Sequence, residues 1–296
     1  MTLSLTQEWR YYVAVKVAII LVSLCLPAVA DLAAGLQALK NGDYATALRE
    51  LLPLAKQGDA VAQFNLGSMY DEGQGVRQDY TEAIRWYREA AEQGNVSAQF
   101  NLALAYESGH GVPQDYVEAV RWYRKAAEQG EARAQNNLGL IYAHDAFLDD
   151  LDQREVVPDP EGRVPKDYAE AIRWFRQAAE QGNAKAQFSL AFRYEQGQEV
   201  PRNYAEAIRW YRKAAEQGEP HAQFNLGVMY AKGQGVPQDY VQGYLWIDLG
   251  TSRSSGEAQR KFAADRDRLG KAMTAQQIRE AQRLAREWKP KAGTPH

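Results

Sequence analysis

The chain has 296 residues, of which 45% are hydrophobic and 25% charged, and a formal net charge of -3. Weak acidity without a basic block offers no electrostatic footprint for nucleic acid, and the hydrophobic fraction is ordinary for a globular protein. The only cysteine, Cys25, lies in the leader segment, so the rest of the chain neither needs nor uses an oxidising compartment.

Residues 1–30 read as a secretory signal peptide. Arg10 and Lys16 outweigh Glu8, the apolar run Val17 to Leu26 follows, and Pro27 precedes the small-residue site Ala28-Val29-Ala30. An apolar run of that length is too short to span a bilayer. Cleavage after Ala30 would place the mature chain, without a membrane span, in the periplasm or outside the cell. A leader kept as an anchor is the alternative. Residues 31–58 predict an opening helix pair, with Ala34, Leu36 and Leu39 in one helix and Tyr44, Leu48, Leu51 and Leu52 in the next. Asn41-Gly42-Asp43 is the turn between them, and Pro53 predicts a kink.

Residues 59–250 are five copies of one unit. AQFNLGSMYDEGQGVRQDYTEAIRWYREAAEQG starts at Ala62 and recurs from Ala98, Ala134, Ala186 and Ala222, at spacings of 36, 36, 52 and 36 residues. A fixed period in that range marks a solenoid whose units bury their apolar faces by stacking. Each unit predicts two helices. Ala62, Leu66, Met69 and Tyr70 lie on one side of the first, and Ala83, Ile84, Tyr87 and Ala91, with Trp86 and Ala90 beside them, form two stripes on the second. Asp79 with Glu82, Asp115 with Glu118, Asp167 with Glu170, Asn203 with Glu206 and Asp239 with Gln242 predict capping boxes at the second helices. Gly58, Gly94, Gly130, Gly182 and Gly218 predict left-handed closing residues.

The third unit carries an insertion over 143–163. Its acids, seven against the single base Arg154 between Asp145 and Glu161, lack the spacing of a calcium loop, and a solvated loop on one rim is the expectation.

The pieces A-Q-x-N-L-G-x-x-Y, G-x-G-V-P-Q-D-Y and E-A-x-R-W-Y-x-K-A-A-E-Q-G resemble the Sel-one-like repeat (SLR) family, related to tetratricopeptide repeats, over about Asp31 to Trp288. The resemblance implies an all-α fold, a right-handed superhelical solenoid of stacked antiparallel helix pairs. It also implies a non-catalytic scaffold that presents a curved surface to another protein, in the manner of exported bacterial members.

Residues 251–289 predict C-terminal capping helices, over Glu257 to Leu269 and Thr274 to Trp288, with Ile278, Ala281, Leu284, Ala285 and Trp288 on one stripe of the second. Residues 290–296 read as a disordered tail.

Little here carries chemistry. Gly73-Gln-Gly75 and Gly109-His-Gly111 follow helices and belong to no phosphate-binding motif, so they read as turn glycines. His110, His144, His221 and His296 are scattered, with no zinc spacing, and neither a metal nor a cofactor is expected. Trp86, Trp122, Trp174, Trp210 and Trp246 recur at one helical stripe, which suits packing better than a stacking platform. No nucleophile, base and oxyanion donor assemble, and the paired cysteines of SLR relatives linked to β-lactamase activity are missing, so no enzyme is expected. A glycan- or peptidoglycan-binding module is the stronger rival reading, a β-lactamase-like hydrolase the weaker.

The first helices share a second face that is not the core. One column there holds Asn65, Asn101, Asn137, Ser189 and Asn225; a neighbouring one holds Leu104, Leu140, Phe192 and Val228; Arg133 and Lys185 stand at another. Variation among near-identical units points to a surface shaped for a ligand. In the tetratricopeptide folds that this sequence resembles, the first helices line the concave face. These residues are therefore the expected binding surface for a partner protein segment, the Asn amides holding its backbone and the cations favouring an acidic stretch. The alternative is that the amides bridge adjacent helices. The chain is expected to be monomeric.

Overall fold

The computed structural model describes residues 30–143, 164–197 and 200–291. The leader before Ala30, the acidic insertion after Ala143 and the tail after Lys291 lie outside the described residues. Two compact units, 1–93 and 94–296, divide the chain. Among the described residues there are fourteen helices and no strand.

The first unit holds α1 (Leu32–Lys40), α2 (Tyr44–Lys56), α3 (Ala60–Glu72) and α4 (Tyr80–Glu92), each packed on its predecessor. Its centre is built from Ala47, Leu51, Ala55, Ala62, Leu66, Met69 and Trp86. The expected kink does not end α2, which runs through Pro53 to Lys56.

The second unit holds α5 (Val96–Ser108), α6 (Tyr116–Glu128), α7 (Ala132–Ala143), α8 (Tyr168–Glu180), α9 (Ala184–Gln196), α10 (Tyr204–Glu216), α11 (Pro220–Lys232), α12 (Tyr240–Arg253), α13 (Gly256–Gly270) and α14 (Ala275–Glu287). From α5 to α13 each helix packs on the next, while α14 turns back onto α12. From α5 to α12 each helix folds back along its predecessor, by short connections except between α7 and α8, which buries both stripes of the second helices. Trp86, Trp122, Trp174, Trp210 and Trp246 are all buried. A guanidinium or ammonium covers several of these rings, Arg85 at 4.0 Å from the Trp86 centroid and Lys125 at 3.9 Å from that of Trp122.

The predicted capping boxes are half right. Asp79, Asp115, Asp167, Asn203 and Asp239 each accept from the amide of the third residue on, at 3.0–3.2 Å. The return arm is absent at these five sites, because each cap's own amide already donates to a tyrosine carbonyl of the preceding helix: Tyr70, Tyr106, Tyr142, Tyr194 and Tyr230. Glu82, Glu118, Glu170 and Glu206 instead pair with Arg85, Arg121, Arg173 and Arg209 one turn on. Thr274 and Gln277 form a complete box at α14.

The closing glycines have φ near +90°, from 91° at Gly94 to 98° at Gly182. Gly75 serves a second purpose: a Cβ there would lie 2.5 Å from that of Tyr44.

One polar clasp recurs within both units, where a helix pair docks on its neighbour. Gln63, Gln99, Gln135, Gln187 and Gln223 are buried at 0–4% exposure. The Nε2 groups of Gln63, Gln135, Gln187 and Gln223 donate to the carbonyls of Ala55, Ala127, Ala179 and Ala215 at 3.0–3.1 Å. Their Oε1 atoms, with that of Gln99, accept from the closing glutamines Gln93, Gln129, Gln181 and Gln217 at 2.7–2.8 Å, except at Gln223. The Gln223 Oε1 has no donor.

This asymmetry is testable with an isosteric apolar replacement. Gln187→Met strips a partner from both the Ala179 carbonyl and Gln217, and should cost about 1–3 kcal/mol. Gln223→Met removes one bond and also an orphaned acceptor, so its urea midpoint should fall less.

Candidate functional site

Among the described residues no cluster of three or more His, Cys, Asp or Glu side chains is arranged to hold a metal, and no helix is long and apolar enough to cross a membrane. The face singled out in the sequence is therefore the feature to build up, unit by unit.

In the first unit Asn65 is half-buried, and its amide donates to the Val61 carbonyl of its own helix at 2.7 Å. In the second unit Asn101 and Leu104 lie half-buried on α5, Asn137 and Leu140 on α7, Phe192 on α9, and Asn225 and Val228 on α11. Arg133 and Lys185 are exposed. Arg133 is steered by two neighbours: Glu131 binds it at 2.8 Å, and its guanidinium sits 4.3 Å from the Phe100 ring centroid. The hydrogen bond that the guanidinium donates to Glu131 holds its pKa above the ordinary value. Phe192 lies 6.5 Å from Phe188 on the same helix.

Ser189 is buried at 3% exposure, beneath the face to which the sequence assigned it. The asparagines beside it show why. Asn137 donates to the Tyr123 hydroxyl at 3.0 Å, and that hydroxyl donates to the buried Glu107 carboxylate. Asn225 donates to Tyr211 at 2.9 Å, and Tyr211 donates to Glu195 at 2.7 Å. Each set joins a first helix, its second helix and the next first helix. Two asparagines thus bridge adjacent helices, the alternative that the sequence left open. The third unit replaces all members of the set together: Ala143, Phe175 and Ser189 stand where Glu107, Tyr123 and Asn137 do. With no phenol to donate to, a small hydroxyl suffices. Tyr123, Tyr211 and their carboxylates were the residues that sequence reasoning missed, and their joint replacement was the signal that could have found them.

At the far end of the face, α13 intervenes. Phe262 stacks on Phe224 at 4.0 Å between centroids and meets His221 edge-on at 5.3 Å. Val228 packs against the same Phe224, Ile247 and Phe262 cluster. In this unit Leu104, Leu140 and Phe192 are thus the half-exposed apolar residues of the face that do not belong to the α13 cluster, with exposed Arg133 and Lys185 on the same helices.

Helix pairs of constant length, tied at each joint by one buried amide and offering one variable face, define a helical-repeat scaffold. The sequence pattern of the Sel1 repeat matches residues 60–95, 96–131, 132–148, 160–183, 184–219 and 220–250, and the chain belongs to the Sel1 repeat family. The segments 132–148 and 160–183 flank the insertion. The chain is similar to a Sel1 repeat protein from Oxalobacter formigenes, at 32% identity and a TM-score of 0.70, covering 88% of this chain and 97% of that one. It is also similar to c5321, a protective antigen of uropathogenic Escherichia coli strains with an SLR fold, at 35% identity and a TM-score of 0.70 over 82% of this chain. The match spans 48% of the c5321 chain, about half its length. No curated protein matches the sequence. Sel1 repeats commonly mediate protein–protein interaction, and the family is generally a non-catalytic scaffold.

Two measurements check the tyrosine sets. Tyr123→Phe alone removes the hydroxyl that joins Glu107 to Asn137 and should cost about 1–3 kcal/mol. The triple change Glu107→Ala, Tyr123→Phe, Asn137→Ser copies the third unit, and should cost less than the sum of its three singles in a mutant cycle. Burial first, and then Glu195, push the Tyr211 pKa well above the ordinary tyrosine value. Unfolded tyrosine ionises near pH 10, roughly, while folded Tyr211 stays protonated, so stability drops as pH rises through that value. Tyr211→Phe should make that drop shallower in urea titrations taken at increasing pH.

Proposed function

We propose that the protein is a non-catalytic interaction scaffold or regulatory adaptor of the cell envelope, which captures a segment of a partner protein on the first-helix face of its second unit. One observation carries this reading. Leu104, Leu140 and Phe192 occupy equivalent positions in three successive repeats, stay half-exposed though apolar, and the column changes from leucine to phenylalanine while the buried alanine and leucine columns of the same helices stay constant. Packing alone favours the same residue in every copy; a surface fitted to a segment of irregular sequence does not. The cations Arg133 and Lys185 on the same helices suit an acidic stretch in that segment. The envelope assignment rests on the leader: its basic start, short apolar core and Ala-Val-Ala site.

The glycan reading has less support. A sugar platform on the repeated tryptophans would need open ring faces, and these rings lie at 2–9% exposure, with little face left to stack on.

Leu104→Glu, Leu140→Glu and Phe192→Glu together should abolish partner capture by site-specific cross-linking in intact cells while helical content is kept. A variant that unfolds assigns the face to the core; one that folds and still captures the partner moves recognition elsewhere. The location is tested separately. N-terminal sequencing of the purified mature protein should begin at Asp31, and an intact Met1 in a soluble cytoplasmic fraction would remove the envelope role.

A further inference from the structure

The last repeat breaks the pattern at one of its most constant positions. Gln93, Gln129, Gln181 and Gln217 each follow a second helix and donate to the buried glutamine of its own pair. The equivalent residue of α12 is Arg253, and Gln223, fully buried, keeps an Oε1 without a donor. A guanidinium has five N–H groups and is able to fill that role. Arg253 turns away instead. It stacks 4.4 Å from the Trp288 ring centroid and donates from Nη1 to the Leu249 carbonyl and Ser252 Oγ, both at 3.4 Å. Trp288 is itself fixed edge-on against Trp246 at 6.2 Å.

So turned, Arg253 lines an open cleft of about 520 Å³ between α12 and α14, together with Asp248, Leu249, Ser252, Gln282, Ala285 and Arg286. Asp248 is the one carboxylate in that lining, and Arg266 of α13 already holds it at 2.9 Å. No carboxylate among the described residues pairs with Arg253 or Arg286, whereas Arg85 of α4, Arg173 of α8 and Arg283 of α14 itself are each ion-paired. Burial against its surroundings lowers the Arg253 pKa, and no acid offsets that penalty.

The geometry points to an oxyanion site in this cleft, where Arg253 and Arg286 clamp a carboxylate or phosphate group from two helices, with Ser252 and Gln282 as neutral partners. A planar guanidinium held over an aromatic ring is restricted in the directions its remaining N–H groups take, and its fork of donors suits two parallel hydrogen bonds to one oxyanion. The cleft accommodates a phosphate ion or an acidic side chain. The unmet acceptor of Gln223 marks the stability lost when arginine takes the place of glutamine, a loss without purpose unless the arginine acts elsewhere.

This reading makes an unusual demand on one variant. Arg253→Gln should restore the missing donor to Gln223, raising the melting temperature, and should also abolish anion binding. Isothermal titration of the full-length chain with inorganic phosphate and, separately, with N-acetylglutamate distinguishes the two oxyanion sources, with chloride at matched ionic strength as the control. The Trp288 indole resonance, followed by NMR, locates the site. The expected result is one saturable site for at least one probe, a shift of the Trp288 signal, and a loss of affinity of about tenfold or more in both Arg253→Gln and Arg286→Gln, the scale of one charge-assisted hydrogen bond. Only Arg253→Gln should melt higher. Saturable binding by neither probe, an equal response to chloride, or unchanged affinity in Arg253→Gln would each overturn the proposal.

Discussion

A helix end buried under the next helix has carbonyls that water cannot reach, and four joints, one within the first unit and three within the second, answer that problem in one way. The Ala55, Ala127, Ala179 and Ala215 carbonyls near the ends of second helices each accept twice, once from the amide of the closing glycine and once from the buried glutamine of the next helix. A carbonyl has two lone pairs, and here both are used. The first bond requires the left-handed glycine, which brings the chain round; the second requires the glutamine one turn into the next helix. Local closure and docking between successive helices therefore share one acceptor atom. This explains why A-Q recurs in the first helices α3, α5, α7, α9 and α11 and Q-G closes the second helices α2, α4, α6, α8 and α10; α12, which packs on the capping helices, ends in Arg253-Ser254 instead.

The second tie, from carboxylate through tyrosine to asparagine, is more tolerant, and the reason is visible in what it spans. It lies along the flank of the pair, where a phenylalanine fills the same volume without needing a partner. The third unit makes that exchange and loses no packing, for Phe175 is fully buried. A polar network that is complete or wholly absent is acceptable, while a partial one leaves a buried group unpaired. That rule explains why Ala143, Phe175 and Ser189 changed together.

Much of the fold was legible because the repeat writes its boundaries five times over. Helix limits, turn glycines and cap residues follow from short-range rules that the neighbours do not alter. Where reading failed, a neighbour had intervened. The return arm of the capping box was expected from the spacing of Asp79 and Glu82, but the amide it would have bound is taken by Tyr70 from another helix, so Glu82 turns to Arg85. The position of Ser189 was read by helical spacing, which finds the face of a helix but not what covers it.

The same distinction sharpens the candidate face. Variation among near-identical units has two physical sources, and only one of them concerns a ligand. A column that varies in step with a buried partner, as asparagine and serine do with tyrosine and phenylalanine, is adjusting its own packing. The Leu104, Leu140 and Phe192 column changes with no matching change in the buried first-helix alanines and leucines, which hold as Ala98 and Leu102, Ala134 and Leu138, and Ala186 and Leu190. Val228 completes that column, but it packs beneath Phe262 of α13 and answers to the capping helix. What remains after both corrections is a shorter and more apolar surface than the sequence alone outlined, in which the asparagines build the wall and the aliphatic and aromatic side chains between them face outward.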